Sequence, residues 1–407
     1  NLGDLAGRAR IVETNLQQSA AQIAEALLAP EPTVVGLGVY VWNATLALEV
    51  ITLLKTRRPE LIVVLGGPEV SHEWDEQELV AQADYTVTGE GEVAFRELCE
   101  QLLQGERPSR RIISGSAAPF ETLELPYHLY DDEDLAQRVI YVEASRGCPF
   151  RCQFCLSSLD RGVRMVPTER FFSAMETLLE RGTRDFKFID RTFNLRIDIA
   201  SGILRFFLER LRPGLSLHFE MVPDRLPEEL RNLLAAFPPR TLQLEIGIQS
   251  WDPEVGRLIE RRQDAQRTEN NLRFLSEETH VHVHSDLIVG LPGEDLPTFA
   301  RGFDRLLKLG PQEIQVGILK RLRGTPIQIH DETHAMVYRD APPYEVLSTS
   351  TMSEPEIDSM KRFARFWDLV VNSGNFIESS PLIWSTHTSA FEGFYAFSEW
   401  LYSELGR

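Results

Sequence analysis

The chain has 407 residues, with 61 acidic against 42 basic side chains and a formal net charge of -19. At roughly 100–200 residues per domain this length makes two or three domains, and 43% hydrophobic with 25% charged residues is an ordinary globular composition. So negative a chain repels polyphosphate backbones, which excludes a general nucleic-acid binder, and no apolar run approaches the roughly 18 residues of a membrane span.

The sequence opens on Asn1 rather than methionine and shows no signal peptide there, so upstream residues and a removed leader both stay open. Ala9 to Val12 reads as a short strand and Ala20 to Leu28 as a helix. Thr33 to Val41 is a continuous apolar strand, followed by a helix from about Thr45 to Lys55. Leu61 to Leu65 is a buried strand ending in Gly66-Gly67-Pro68, and Tyr85 to Thr88 is stopped by Gly89-Glu90-Gly91-Glu92 before the helix Ala94 to Leu103. Val/Ile/Leu strands alternating with helices imply a parallel sheet covered on both faces, a doubly wound α/β domain with its ligand crevice at the carboxyl ends of the strands.

Residues 109–138, with Pro119, Pro126 and the acidic run Asp131 to Asp134, read as a linker after a first domain of residues 1–108. A second βα series occupies residues 139–326, with strands at Val139–Ala144, Asp185–Ile189, Leu215–Met221, Thr241–Ile248, His280–Val289 and Glu313–Leu319. Helices are expected near 169–181, 198–211, 227–236, 254–260, 266–277 and 296–309. Six units are too few for a closed eight-stranded barrel, so a partial (β/α)6 TIM-like barrel is expected, with its site at the carboxyl ends of the strands. Residues 327–407 are rich in aromatics and read as a helical appendage whose rings serve core packing.

Three of the four cysteines fall within eight residues, Cys148, Cys152 and Cys155, just after the first barrel strand. That crowding is a poor disulfide framework and points to a metal site in a reducing, cytoplasmic compartment. Structural zinc wants four ligands in paired knuckles, and no second pair exists. Three thiolates on one loop suit three irons of a 4Fe-4S cube, leaving the fourth iron open, with Gly147 letting loop amides approach the sulfides. The alternatives are three thiols packed as small hydrophobes and a zinc site completed by a distant histidine.

This C-x3-C-x2-C loop in a partial barrel resembles the radical S-adenosylmethionine (SAM) enzymes. The resemblance implies that Cys148, Cys152 and Cys155 ligate the cluster, whose free iron chelates SAM, and that Phe154 sits near the adenine. Along the strands it further implies contacts to SAM from Asp190 and Asn194, Glu220, Glu245 with Gln249 and Ser250, Ile288 and Gly290, and Lys320. Each of these has a plainer use as a helix cap, ion-pair partner or turn.

In the first domain, Tyr40-Val41-Trp42-Asn43 lies at the end of the strand Thr33 to Val41, placing two aromatics where a planar macrocycle could stack. Gly66-Gly67-Pro68-Glu69-Val70-Ser71 and Gly89-Glu90-Gly91-Glu92 fall where a crevice ligand would lie. The arrangement is similar to the cobalamin-binding domain that precedes many radical SAM domains. It departs from that family in lacking the Asp-x-His-x-x-Gly motif that ligates cobalt from below and in lacking a strand before Ala9. A flavodoxin-like domain that binds nothing is the plainer alternative.

Together the two resemblances imply a cobalamin-dependent radical SAM enzyme. The expected reaction is methyl transfer from methylcobalamin to an unactivated carbon, after hydrogen abstraction by a 5′-deoxyadenosyl radical. A rearrangement, ring contraction or cyclisation without methyl transfer, a radical SAM enzyme with a vestigial first domain, and a non-catalytic corrinoid or redox partner are the alternatives. The expected partners are a small-molecule or peptide substrate and an external donor of flavodoxin or ferredoxin type, with no nucleic acid and no membrane. No residue is singled out as catalytic beyond cofactor binding. His282 and His284 mark alternating strand positions more simply than a metal site, and Cys99 reads as a buried helix residue.

Overall fold

The computed structural model describes residues 1–406, which form two compact units. One comprises Asn1–Glu124 together with Arg321–Thr325 and Arg339–Tyr344, and the other Leu125–Lys320, Pro326–Tyr338 and the described residues from Glu345 onward.

The first unit runs α1 (Ala20–Leu28), β1 (Val34–Gly38), α2 (Ala44–Arg57), β2 (Ile62–Gly66), α3 (Glu78–Gln82), β3 (Tyr85–Thr88), α4 (Glu92–Leu103) and β4 (Ile112–Ser114). The four strands form one parallel sheet in the order β1-β2-β3-β4. One face packs Val35, Val63 and Leu65 on α1, α2 and α3, while the other packs Val64 and Val87 on Leu98 and Leu102 of α4. Both faces are therefore covered, which explains why the strands lack polar alternation. Ser19 caps α1 through a capping box with Gln22, fixing its start.

Two expectations are corrected here. Ala9 to Val12 forms no strand, and Ile11 is 68% exposed. A short β-branched run becomes a strand only with a neighbour to pair with and a face to bury, and this run has neither. The stretch 109–138 holds β4, the fourth member of the sheet, and an α5 helix (Asp132–Gln137) closed by an Asp131/Asp134 capping box.

The second unit continues with β5 (Ile140–Val142), β6 (Ser145–Arg146), β7 (Arg164–Met165), α6 (Thr168–Glu180), β8 (Asp185–Phe188), α7 (Ile197–Leu208), β9 (Ser216–Met221), α8 (Glu228–Ala235), β10 (Leu242–Gln249), α9 (Pro253–Leu258), α10 (Ala265–Glu278), β11 (His282–Val289), α11 (Leu296–Leu307) and β12 (Glu313–Ile318). Its sheet is parallel throughout, in the order β12-β11-β10-β9-β8-β5, the open six-stranded series expected. Burial alternates along β9, β10 and β11. Leu217, Phe219, Leu244, Ile246, Val283 and Leu287 face the helices, and the intervening side chains, mostly polar, occupy the other face.

A short antiparallel pair, β13 (Val337–Tyr338) and β14 (Val346–Ser348), precedes α12 (Glu354–Trp367) and α13 (Ala390–Leu405). These helices are the expected appendage. Phe363, Trp367 and Phe391 surround Phe303 of α11 with ring centroids 4.7–5.8 Å apart, so these rings are core, whereas Trp400 and Tyr402 of α13 are exposed. Among the described residues no helix is long and apolar enough to cross a membrane.

Candidate active site

The cysteine loop hangs from a two-strand stem. β6 pairs antiparallel with β7, and the chain between them carries Cys148, Cys152 and Cys155, all free thiols. At the neck Gly147 has φ +94°, and a Cβ there would run into the Gly162 carbonyl. The glycine therefore serves the close approach of two backbones, a tighter reason than access of amides to sulfides. The Cys148 N–H donates to the Asp160 carbonyl at 2.9 Å and the Cys155 N–H to that of Cys152 at 3.1 Å, folding the loop on itself. Gln153 points inward, its Oε1 2.6 Å from His330 Nε2. Cys148 and Cys152 are buried, Cys155 and Phe154 half-buried. Burial pushes the Cys148 thiol pKa up, and the neighbouring thiols push it further.

Arg261, just after α9, was not singled out from the sequence. Its Nη1 donates to Cys152 Sγ at 3.3 Å, and its Nη2 donates to the Gly247 carbonyl at the end of β10. Gln263 Nε2 reaches the same carbonyl at 3.0 Å. A guanidinium against this sulfur places positive charge beside a potential metal ligand. An arginine in the run Glu260-Arg-Arg-Gln gives no sequence signal of this kind; only the turn after α9 brings it back to the cysteines.

Asp190 and Asn194, expected to reach SAM, are turned into the fold. Asp190 is 2% exposed, its Oδ1 accepts from Ser145 Oγ at 2.5 Å, and its Oδ2 accepts from the Ala144 N–H at 3.0 Å. Both oxygens thus hold the strand end that leads into the cysteine loop. Burial raises its pKa to about 7. Asn194 Nδ2 donates to the carbonyls of Val222 and Arg225 while its Oδ1 accepts from the Val222 N–H, tying down the turn after β9.

β9 to β11 and the turns after them carry most of the remaining residues. Glu220 pairs with Arg191 at 3.0 Å, and burial, partly offset by that arginine, raises its pKa. Glu245 sits opposite Glu220 on β10, 3.0 Å from His218 Nε2 and 3.6 Å from Lys187 Nζ, which holds its pKa down at about 2 against burial. Gln249 has φ +71°, rare for a side-chain-bearing residue, at an irregularity in the β10–β11 register, and its buried Oε1 has no hydrogen-bond partner. Strain combined with an unanswered buried acceptor makes Gln249 a candidate ligand position. Ser250 is spent internally: its Oγ donates to Glu294 Oε1 at 2.5 Å and accepts from the Asp252 N–H. Glu294 is 2% exposed and burial raises its pKa to about 8.

On β11, Ile288 shares the polar face with His282, His284 and Asp286. His282 Nε2 and His284 Nδ1 both meet Glu313, at 2.7 and 3.0 Å, and His284 also meets Asp286 at 3.2 Å. These pairs satisfy the histidines without a metal. Gly290, with φ +84°, turns the chain beneath Val346, where a Cβ would be 2.5 Å from Cγ1. Lys320 is exposed and bridges Glu345 through its backbone.

In the first unit, β1 and β2 end at loops that lock together. Gly67, at φ +105°, lies under Val39, where a Cβ would be 2.5 Å from the carbonyl oxygen, and the Val39 N–H donates to the Gly66 carbonyl at 2.8 Å. Pro68 opens the short turn that follows. Ser71 Oγ donates to the Gly67 carbonyl at 2.8 Å and accepts from the Gly89 N–H at 3.0 Å, joining the β2 and β3 loops. Asn43 folds back to its own turn, accepting from the Tyr40 N–H and donating to the Gly38 carbonyl, and Val70 and Glu69 are buried. Gly91 and Glu92 start α4 beside Glu90. Tyr40 and Trp42 remain outside, 44% and 60% exposed, stacked with centroids 5.3 Å apart and planes 12° off parallel. An exposed aromatic shelf beside a glycine turn at the carboxyl edge of a parallel sheet fits a large flat ligand.

Residues 142–306 match the radical SAM superfamily, residues 6–99 the B12 binding domain, and residues 332–405 a family described as a protein of unknown function (DUF4080). The chain is 27% identical over 345 residues to 2-(S-pantetheinyl)-carbapenam-3-carboxylate methyltransferase of Streptantibioticus cattleyicolor. It is 26% identical over 345 residues to the cobalamin-dependent radical SAM methyltransferase TokK of Streptomyces tokunonensis. Each match covers 77% of this chain and 50% of the relative, so the chain spans about half the length of the curated relatives it matches. Among solved structures, the cobalamin-dependent SAM radical enzyme OxsB with aqua-cobalamin bound superposes with a TM-score of 0.66 at 16% identity, covering 94% of this chain and 66% of that one. The two share a fold.

Proposed function

The chain belongs to the cobalamin-dependent radical SAM family, a B12-binding domain followed by a radical SAM domain, and on that premise we propose that it is a methyltransferase acting on an unactivated carbon. Its cofactors are a 4Fe-4S cluster, SAM and cobalamin. The observation that carries the proposal is the three-thiol loop with a guanidinium on one sulfur, in the same chain as an exposed aromatic shelf beside a glycine turn. The methyltransferase names of two relatives support methyl transfer in particular.

When bound, these groups supply an electron to the sulfonium of SAM and a methyl group carried on cobalt. Cys148, Cys152 and Cys155 would hold three irons, and Cys148 must give up a proton that its burial makes costly to lose. Arg261 offsets the negative charge gathered on the sulfurs. Asp190 keeps the stem of the loop in place through Ser145 and Ala144. Gln249 offers a buried acceptor for a ligand hydroxyl, and Glu220 an acceptor for an amino group. Phe154, half-buried on the loop, supplies a face for a base. Tyr40 and Trp42 supply the flat apolar contact for the corrinoid.

The substrate is proposed to be a small molecule or peptide, and the electron source a flavodoxin or ferredoxin. Anaerobic protein loaded with cobalamin and reduced flavodoxin, turned over on candidate substrates, should form both S-adenosylhomocysteine and 5′-deoxyadenosine. Deoxyadenosine alone would replace methyl transfer with a rearrangement. Loss of both products in Cys152→Ala excludes a non-catalytic carrier.

A further inference from the structure

The loop that follows β2 is gripped from a distant part of the sequence. Glu69 is only 5% exposed, and its Oε1 accepts from Tyr344 Oη at 2.5 Å and from Arg323 Nε at 3.0 Å. The same Arg323 Nε is 3.2 Å from Tyr344 Oη, and its guanidinium lies 5.0 Å from the centre of the tyrosine ring. Four residues on, Glu73 Oε2 accepts from Arg321 Nη1 at 3.2 Å and Arg323 Nη1 at 3.3 Å, while its Oε1 accepts from the Gly324 N–H at 3.1 Å. Gln77 Nε2 holds the carbonyls of Glu69 and His72, both at 2.9 Å.

The gripping residues come from Arg321–Thr325 and Arg339–Tyr344, which belong to the first unit although they follow the last barrel strand in sequence. The arrangement imposes backbone demands of its own. Gly324 has φ +81° and a Cβ on it would run into the His72 ring, so that position must be glycine. Tyr344 adopts φ +57°, a conformation that side-chain-bearing residues take only when their surroundings enforce it. A buried carboxylate answered by one guanidinium N–H and one hydroxyl loses heavily when either partner is removed, because its charge stays buried.

We propose that Arg323 and Tyr344 are positioning residues for the corrinoid: by clamping Glu69 they fix the turn Gly66–Ser71, and through Gly67 and Val39 the adjoining Tyr40–Trp42 shelf. They need not touch the ligand. The segments after the barrel thereby acquire a role in the B12-binding unit, which neither the match at residues 6–99 nor that at residues 332–405 includes for Arg323. This inference rests on the assignment of cobalamin to the first unit.

The test uses the full chain and hydroxocobalamin as the probe, with affinity read by absorbance after equilibrium dialysis. Tyr344→Phe and Arg323→Gln should each weaken binding about tenfold or more, as loss of a buried charge-assisted hydrogen bond does. Combining Tyr344→Phe with Glu69→Gln should cost no more than the worse single change, since both break one clamp. Arg339→Gln, an exposed change in the same segment, should bind like the unaltered chain. If Arg323→Gln fails to fold, Tyr344→Phe still decides the matter, because it keeps the ring and its packing. Unaltered affinity in Tyr344→Phe, or full additivity with Glu69→Gln, overturns the clamp. Failure of the unaltered chain to take up hydroxocobalamin overturns the cofactor assignment instead, and the clamp with it.

Discussion

Asp190→Asn gives a stability change whose dependence on pH follows from the geometry. The carboxyl is sealed in the fold and its pKa is raised from 3.8 to about 7, chiefly by burial, with the Ser145 hydroxyl and Ala144 amide working in the other direction. An acid whose folded pKa lies above its unfolded value is held protonated in the fold while the unfolded chain already ionises. Its contribution to stability therefore falls as pH rises through that interval, with a slope of about 1.4 kcal/mol per pH unit. Across the interval from 3.8 to about 7 the sum is about 4 kcal/mol. Asparagine is neutral throughout and keeps an acceptor for Ala144, while Ser145 can turn its hydroxyl to accept from the new amide. Urea unfolding of cluster-free chains should thus show Asp190→Asn gaining on the unaltered protein by roughly 1 kcal/mol per unit from pH 5 to 7, levelling off above pH 8. A difference that stays constant from pH 5 to 8 would refute the burial argument.

Arg261→Gln removes a positive charge from Cys152 Sγ, so the reduction potential of the cluster should fall by on the order of 50 mV in an EPR-monitored redox titration; an unchanged potential would remove the arginine from the cluster's electrostatics. Trp42→Ala touches an exposed ring, so stability should move by no more than about 0.5 kcal/mol in denaturant unfolding, while hydroxocobalamin affinity drops. Gly67→Ala meets the Val39 carbonyl and forces φ +105° on a residue with a Cβ, so it should lower the thermal midpoint and corrinoid uptake together. Wild-type behaviour of Gly67→Ala in both assays would mean that the two loops are not locked as described.

The barrel was legible because its chemistry is local. Val283, Ser285 and Leu287 alternate with His282, His284 and Asp286 along β11, and the cysteine spacing needs only one loop. The first sheet was legible for the same reason from β1 to β3, since Ile62 to Leu65 is apolar on both faces and Tyr85 to Val87 is short and β-prone, whereas β4 fell in the stretch read as a linker. Ala9 to Val12 misled because its composition suits a strand, whereas its pairing is a tertiary matter. Asp190, Asn194 and Ser250 carry residue types that bind ligands as readily as they cap turns, and their choice of partner lies in the folded backbone. Arg261 and the Arg323–Tyr344 pair were invisible because their partners stand 109 and roughly 250–275 residues away. No periodicity encodes such distances.

The most direct measurement is iron and zinc content with Mössbauer spectra of oxygen-free, reconstituted protein, comparing the unaltered chain with Cys152→Ala and Cys99→Ala. About four irons per chain with 4Fe-4S parameters are expected in the unaltered chain and in Cys99→Ala, whose thiol lies buried in α4, with loss of the cluster in Cys152→Ala. Zinc, or no metal, on the unaltered chain would contradict the three-thiol cluster and everything derived from it.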